Sequence, residues 1–178
     1  MNKKYLGIKK TLIEAFYNHK KNNLIVAENL YKKILKINPD HFDSILLLGT
    51  LSIQIKNFGV AIKLLHKAVQ LQPNHANANY NLGLAFTELK EFKKAMPYCQ
   101  KTIEIEPNHV EAYNNLGNIL KELREFQKAK KCYQKAIQFQ PNFLKAHNNL
   151  GNILKELGEF QKAKNCYKKV IQIQPNHA

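Results

Sequence analysis

The sequence contains no run of about 18 apolar residues, so it offers no transmembrane helix. It is poor in cysteine, with only Cys99, Cys132 and Cys166. That odd count argues against a disulfide framework. The opening stretch Met1-Asn2-Lys3-Lys4-Tyr5-Leu6-Gly7 is basic and lacks the apolar segment and small-residue cleavage site of a signal peptide. A cytoplasmic location is the expectation. Glycine-rich phosphate loops, metal-spaced cysteine pairs and nucleophile–base pairings are also missing, so no catalytic residue, metal site or cofactor is expected. Acidic residues are scarce: 13 against 28 lysines and arginines, a formal charge of +15. A charge of that size raises nucleic acid or an acidic surface as a partner.

What the sequence has is repetition. The 178 residues are enough for one domain with a sizeable core. Glycines fall at 49, 83, 117 and 151, always 34 apart. Prolines at 39, 73, 107, 141 and 175 keep the same period. So do Ala27, Ala61, Ala95, Ala129 and Ala163, and the series Leu24, Phe58, Phe92, Phe126 and Phe160. A period of this length is the mark of a solenoid or array.

Each period reads as two helices. In residues 110–143, Ala112, Leu116, Ile119, Leu120 and Leu123 are spaced as one helical face. Phe126, Ala129, Tyr133, Ala136, Ile137 and Phe139 form a second. Arg124-Glu125 makes a short turn between them, as Gly158-Glu159 does in the next period, so the two helices are antiparallel neighbours. Pro141-Asn142 ends the unit, since proline cannot continue a helix. Pro97 falls inside a second helix and is expected to weaken or kink it. The recurring glycine marks a close helix crossing, with the alanine series as the facing small surface. Cys132 and Cys166 occupy one repeat position and read as small packing residues.

A 34-residue helix–turn–helix with Leu-Gly in its first helix, Ala and then an aromatic in its second, and a closing proline resembles the tetratricopeptide repeat. The resemblance covers residues 8–178, as repeats 42–75, 76–109, 110–143 and 144–177 behind a degenerate first repeat, 8–41, that has Ala15 in place of glycine. Residues 1–7 are expected to be a basic extension. The fold implied is an all-α, right-handed superhelical solenoid of antiparallel helix pairs. The sequence stops where a further repeat would open, without a polar capping helix. That suggests truncation after 178, or self-association through the uncapped last helix.

In this family the first helix of each pair lines the concave groove, which binds a protein or an extended peptide. Carried onto this sequence, the groove holds Asn77, Tyr80 and Asn81, then Asn114, Asn115, Asn118 and Lys121, then Lys145, Asn148, Asn149 and Asn152. Asn81, Asn115 and Asn149 share one repeat position. Neighbouring helices lie about 8–10 Å apart and an extended peptide advances about 3.3 Å per residue, so such a row meets a peptide backbone about every third residue. An amide carries both donor and acceptor and can hold a peptide group without reading its side chain. The row resembles the asparagine ladder in the tetratricopeptide superhelix of O-linked N-acetylglucosamine transferases. A second reading follows from that likeness: the substrate-recruiting part of a larger glycosyltransferase. A carboxylate clamp for chaperone C-termini fits less well. Asn115 and Lys145 match it, but Tyr80, Leu84 and Asn149 do not.

The charge sits away from this groove. On the inward positions Lys9, Lys20, Lys121, Lys145 and Lys155 balance Asp43, Glu88, Glu111, Glu122 and Glu156. The excess lies on second helices, for example Lys128, Lys130, Lys131 and Lys135, which disfavours a nucleic-acid groove. His41, His75 and His109 recur one repeat apart, with His177 two repeats further on, and they read as turn residues rather than metal ligands. The inward face of the first two repeats, with Leu12, Ile13, Phe16, Leu46, Leu47, Thr50 and Ile53, is apolar. It is expected to be either an interaction surface or a buried one.

Overall fold

The computed structural model describes residues 3–174. Met1, Pro175, His177 and Ala178, and with them the expectations about the chain's end, lie outside the described residues. Among those described there are ten helices and no strand. They form two compact units, Met1–Leu89 and Lys90–Ala178, so the division falls within the repeat 76–109. The first unit holds α1 (Lys3–Lys20), α2 (Leu24–Ile37), α3 (Phe42–Gln54), α4 (Phe58–Leu71) and α5 (Ala76–Glu88). The second holds α6 (Phe92–Ile105), α7 (Val110–Glu122), α8 (Phe126–Phe139), α9 (Leu144–Glu156) and α10 (Phe160–Ile173). Residues 3–7, expected as an extension, form the opening of α1.

Helix ends follow local chemistry. Each short turn passes through a left-handed residue: Asn22 and Lys56 in the first unit, Lys90, Arg124 and Gly158 in the second. Only Gly158, at φ 73°, holds that conformation without a side-chain penalty. The amides of Glu125 and Glu159 reach back to the carbonyls of Leu120 and Leu154, both at 2.8 Å, which closes the preceding helix in a Schellman motif. At the other turn the recurring histidine is an N-cap. Nδ1 of His41, His75 and His109 accepts from the amides of Ser44, Ala78 and Ala112 at 3.2–3.3 Å. Pro97 lies inside α6, which stays helical through it although the N–H that would bond Lys93 is lost.

Packing explains the period. In the first unit Ala15, Ala27, Tyr31, Leu48 and Leu51 form one core cluster and Ile45, Ala68 and Ala78 another. In the second unit Val110, Ala136 and Ala146 meet, with Tyr113, Ile137 and Phe143 packed around them. The repeated glycine does mark a close crossing, but the group facing it is not alanine. A methyl built on Gly117 would stand 2.5 Å from the Tyr133 ring, and one on Gly151 would stand 2.6 Å from Tyr167. In the first unit the side chain of Leu65 takes that place against Gly49, at 2.8 Å. The glycine therefore makes room for a large side chain on the partner helix, and burying that side chain returns about 1.5–3 kcal/mol.

The cysteines belong to this packing. Cys99 is fully buried and Cys132 and Cys166 are half-buried. Burial pushes the thiol of Cys99 up to about 12 and that of Cys132 up to about 11, and raises that of Cys166. At neutral pH all three are held as thiols, the weak nucleophile. Iodoacetamide at pH 7.5, followed by mass spectrometry, should label Cys166 first and Cys99 last. Preferential modification of Cys99 would contradict this.

Candidate functional site

The first helices of the second unit, α7 and α9, carry most of the expected strip. The middle of α9 places Asn149 against α7. Its Nδ2 donates to Oδ1 of Asn114 and Oδ1 of Asn118, both at 3.0 Å. Asn118 Oδ1 also accepts from the hydroxyl of Tyr133 on α8 at 2.9 Å. One amide oxygen thus joins three helices. In the next repeat Asn152 Oδ1 accepts from Tyr167 on α10, again at 2.9 Å. In the first unit Asn81 Nδ2 donates to Thr50 Oγ1 at 2.9 Å, and Thr50 donates to the carbonyl of Leu46. Asn81–Thr50 and Asn149–Asn118 occupy the same repeat positions. Each unit therefore builds the same bond between successive first helices.

These bonds sort the expected residues. Asn148 and Asn152 are exposed, and Asn149 and Asn118 are half-buried, on the face shared by α7 and α9. Lys145 is exposed, and Lys121 forms an ion pair with Glu122 at 2.8 Å. Asn114 and Asn115 keep only 8% and 5% of their surface. Asn115 Nδ2 donates to Cys99 Sγ at 3.4 Å, so it faces α6. In the first unit Asn77 is exposed and Tyr80 and Asn81 are half-buried on α5. Their helix-to-helix bonds give the asparagines a structural reason to cluster. Sequence spacing hinted at it, since Asn118 and Tyr133, like Asn152 and Tyr167, lie 15 residues apart.

Two buried polar residues went unnoticed in the sequence. Asn79 is almost fully buried, and its Nδ2 donates to the carbonyls of Pro73 and His75. His147, two repeats later at the same position, has Nε2 2.8 Å from the Pro141 carbonyl. Each ties a first helix to the loop before it. The signal was a polar residue on an otherwise apolar face.

Ser44 Oγ lies 3.0 Å from His41 Nδ1, the separation of a nucleophile and its base. Ser44 is fully buried, and the same nitrogen accepts its backbone N–H, so the pair caps α3 and no substrate reaches it. Among the described residues no group of three or more His, Cys, Asp or Glu side chains is placed to hold a metal ion, and no helix is long and apolar enough to cross a membrane. Several lysines of the second helices are paired within one turn: Lys94 with Glu91, Lys101 with Glu104, Lys128 with Glu125 and Lys162 with Glu159. Pairs of this kind at the surface add little to stability. On the apolar inner face of the first unit, Leu12, Leu46 and Leu47 pack against the core while Ile13 and Phe16 remain exposed.

The period, the paired helices and the Gly117–Tyr133 crossing meet their counterpart in a family comparison. The tetratricopeptide repeat profile matches residues 76–109, 110–143 and 144–177. The chain belongs to the tetratricopeptide repeat family. Among solved structures, this tetratricopeptide chain is similar to MamA, with 28% identity over 90% of this chain and 94% of that one and a TM-score of 0.83. MamA from Desulfovibrio magneticus RS-1 (its residues from 41 onward) superposes with a TM-score of 0.87 at 20% identity, covering 96% of each chain. YrrB, a TPR protein with an unusual peptide-binding site, superposes with a TM-score of 0.78 at 23% identity over 94% of this chain and 86% of its own. No curated protein sequence matches the chain. The tetratricopeptide assignment supports a protein-interaction scaffold.

Proposed function

We propose that the chain binds an extended peptide segment of a partner protein on the first-helix face of its second unit, along α7 and α9. The observation that carries this reading is the fixed amide at Asn149. Both its Nδ2 bonds are spent on Asn114 and Asn118, which leaves Oδ1 as an oriented acceptor. Asn118 and Asn152 accept through Oδ1 and so offer Nδ2 as donors. A peptide backbone alternates donors and acceptors, and a strip whose amides are already locked binds it at a lower entropic cost. Asn148 and Lys145 extend the strip into solvent. Asn77, Tyr80 and Asn81 give the first unit a polar strip of its own.

The test is selection of phage-displayed peptides on the intact chain, then calorimetry of the recovered sequences. Changing Asn148, Asn149 and Asn152 together to Ala should weaken binding by about tenfold or more, at roughly 0.5–1.5 kcal/mol per lost hydrogen bond. Helicity should be retained. Recovery of no peptide, or an unchanged Kd in the triple variant, would contradict the reading.

A further inference from the structure

The first helices of the two units show different chemistry at the same repeat positions. In the second unit Asn114 and Asn118 on α7 recur as Asn148 and Asn152 on α9. At those two positions the first unit has Leu12 and Phe16 on α1, Leu46 and Thr50 on α3, and Tyr80 and Leu84 on α5. Phe16 is exposed and the other five are half-buried, so all six still meet solvent. The two positions are four residues apart, which makes their side chains neighbours on each helix. Thr50 is the one small polar member, and its hydroxyl is engaged twice. It donates to the Leu46 carbonyl and accepts from Asn81 Nδ2. Ile53, half-buried and two turns on from Leu46, completes the apolar surface of α3. Each first helix of the unit thus carries one apolar seat: Leu12 with Phe16, Leu46 with Ile53, and Tyr80 with Leu84.

The interval between seats selects the conformation of what can fill all three. Packed helices lie about 8–10 Å apart. A β-strand returns a side chain to one face every second residue, about 6.6–6.8 Å on. An α-helix does so after one turn of about 5.4 Å or two of about 10.8 Å. A polyproline II segment turns once in three residues of about 3.1 Å, so every third side chain meets the same face about 9.3 Å on. That falls inside the interval, and the others do not. The backbone of such a segment makes no internal hydrogen bonds and stays in water. It therefore suits a face whose central polar groups, Thr50 and Asn81, are already bonded to each other.

We infer that the first-helix face of the first unit binds a polyproline II segment of a partner protein that carries a large apolar residue at every third position. The charges around the seats give that segment its two ends. On α1, Lys9 and Lys20 flank the first seat, and the Lys20 ammonium stands 4.7 Å from the centre of the Phe16 ring. On α3 and α5 the flanking charges are Asp43 and Glu88. Among the described residues none of these four is in an ion pair. Glu122, one repeat after Glu88, is paired with Lys121, whereas Glu88 follows Thr87. A segment that is acidic over α1 and basic over α5 complements this order. The surface shares no residue with the asparagine strip on α7 and α9 and does not depend on it.

The probe is the fluorescein-labelled peptide Glu-Glu-Leu-Pro-Pro-Leu-Pro-Pro-Leu-Lys-Lys, made also in the reverse order because either chain direction satisfies the charges. Fluorescence anisotropy with the intact chain should show saturable binding of at least one order. An isomer with its leucines at every second position should bind about tenfold weaker, since a leucine then misses its helix. Replacing the charged ends by glutamine should weaken binding a few-fold, a difference that high salt removes. Phe16→Asn/Leu84→Asn installs the amide that α7 and α9 carry at the same position. It should weaken binding about tenfold or more with circular dichroism unchanged. Changing Asn148, Asn149 and Asn152 to Ala should leave binding of this probe as it is. Absence of saturable binding, equal binding of the two leucine spacings or of the glutamine-ended peptide, or indifference to Phe16→Asn/Leu84→Asn would overturn the proposal. So would an equal loss in the asparagine variant, which would move the site to the second unit. Tighter binding of a stapled helix with the same three leucines on one face would overturn it too, as would a dimer in sedimentation velocity that Phe16→Asn/Leu84→Asn dissociates.

Discussion

Gly117→Ala should lower the stability of the chain by about 1–3 kcal/mol, although alanine is the better helix former by about 1 kcal/mol. The new methyl would lie 2.5 Å from Tyr133 Cε1 and under 3 Å from two more ring atoms. A ring that is itself fully buried cannot swing aside. Tyr133→Ala should cost more, about 3–5 kcal/mol, since it empties the centre of the α7–α8 crossing. The two changes should not add. With the ring gone, the methyl at 117 occupies part of the cavity and the helix gains its propensity term. The double variant should therefore be no less stable than Tyr133→Ala alone. Urea unfolding of the four proteins gives the coupling energy directly. Additive losses would show that the glycine is kept for some reason other than the ring.

The degenerate first repeat is a natural version of the single change. Ala15 stands where glycine recurs, opposite Tyr31, and both are fully buried. The Tyr31 hydroxyl there lies 3.3 Å from Nδ1 of His19, where Tyr133 has Asn118. Burial raises the hydroxyl of Tyr31 to about 12, so it stays protonated through the physiological range. In this repeat, then, the tyrosine beside the methyl has a different anchor. Gly117→Ala alone does not change the anchor of Tyr133, and the full steric cost is expected there.

Period and turns were open to reading because they are carried by residue types with strong backbone preferences. Proline ends the second helices at 39, 73, 107 and 141, and Gly158 turns between α9 and α10, as their chemistry dictates. Apolar spacing located Leu116, Ile119 and Leu120 in the core. What faces the glycine was not legible, because the spacing that sets Gly117 opposite Tyr133 runs between helices and depends on the crossing, not on either helix alone. The expectation of alanine there failed for that reason. The asparagines were legible as a strip but not in their roles. Asn114, Asn115, Asn118 and Asn149 look alike in sequence. Burial and bonding separate Asn115, which faces Cys99, from Asn148 and Asn152, which face solvent. The histidine caps were hidden for a related reason: a cap and a turn residue occupy the same place, and only the Nδ1 bond distinguishes them.

Asn118→Leu tests whether the strip is structure, binding surface or both. The substitution removes the acceptor of two bonds at once. Asn149 retains Asn114, so its loss is partial. The Tyr133 hydroxyl is enclosed and, with no acceptor, bears the desolvation penalty of an unmade bond, about 1–3 kcal/mol. Tyr133→Phe in the same chain removes that donor, and replacing both partners of a buried bond by apolar groups is close to neutral. The double variant should recover most of the stability lost by Asn118→Leu, as read from thermal unfolding. It should not recover peptide binding, because the Nδ2 of Asn118 is still absent and Asn149 has lost one of the two bonds that orient it. Restored stability with binding still weakened would separate the two roles on one side chain. Recovery of both would show that Asn118 serves the fold alone and would move the binding strip outward to Asn148 and Asn152.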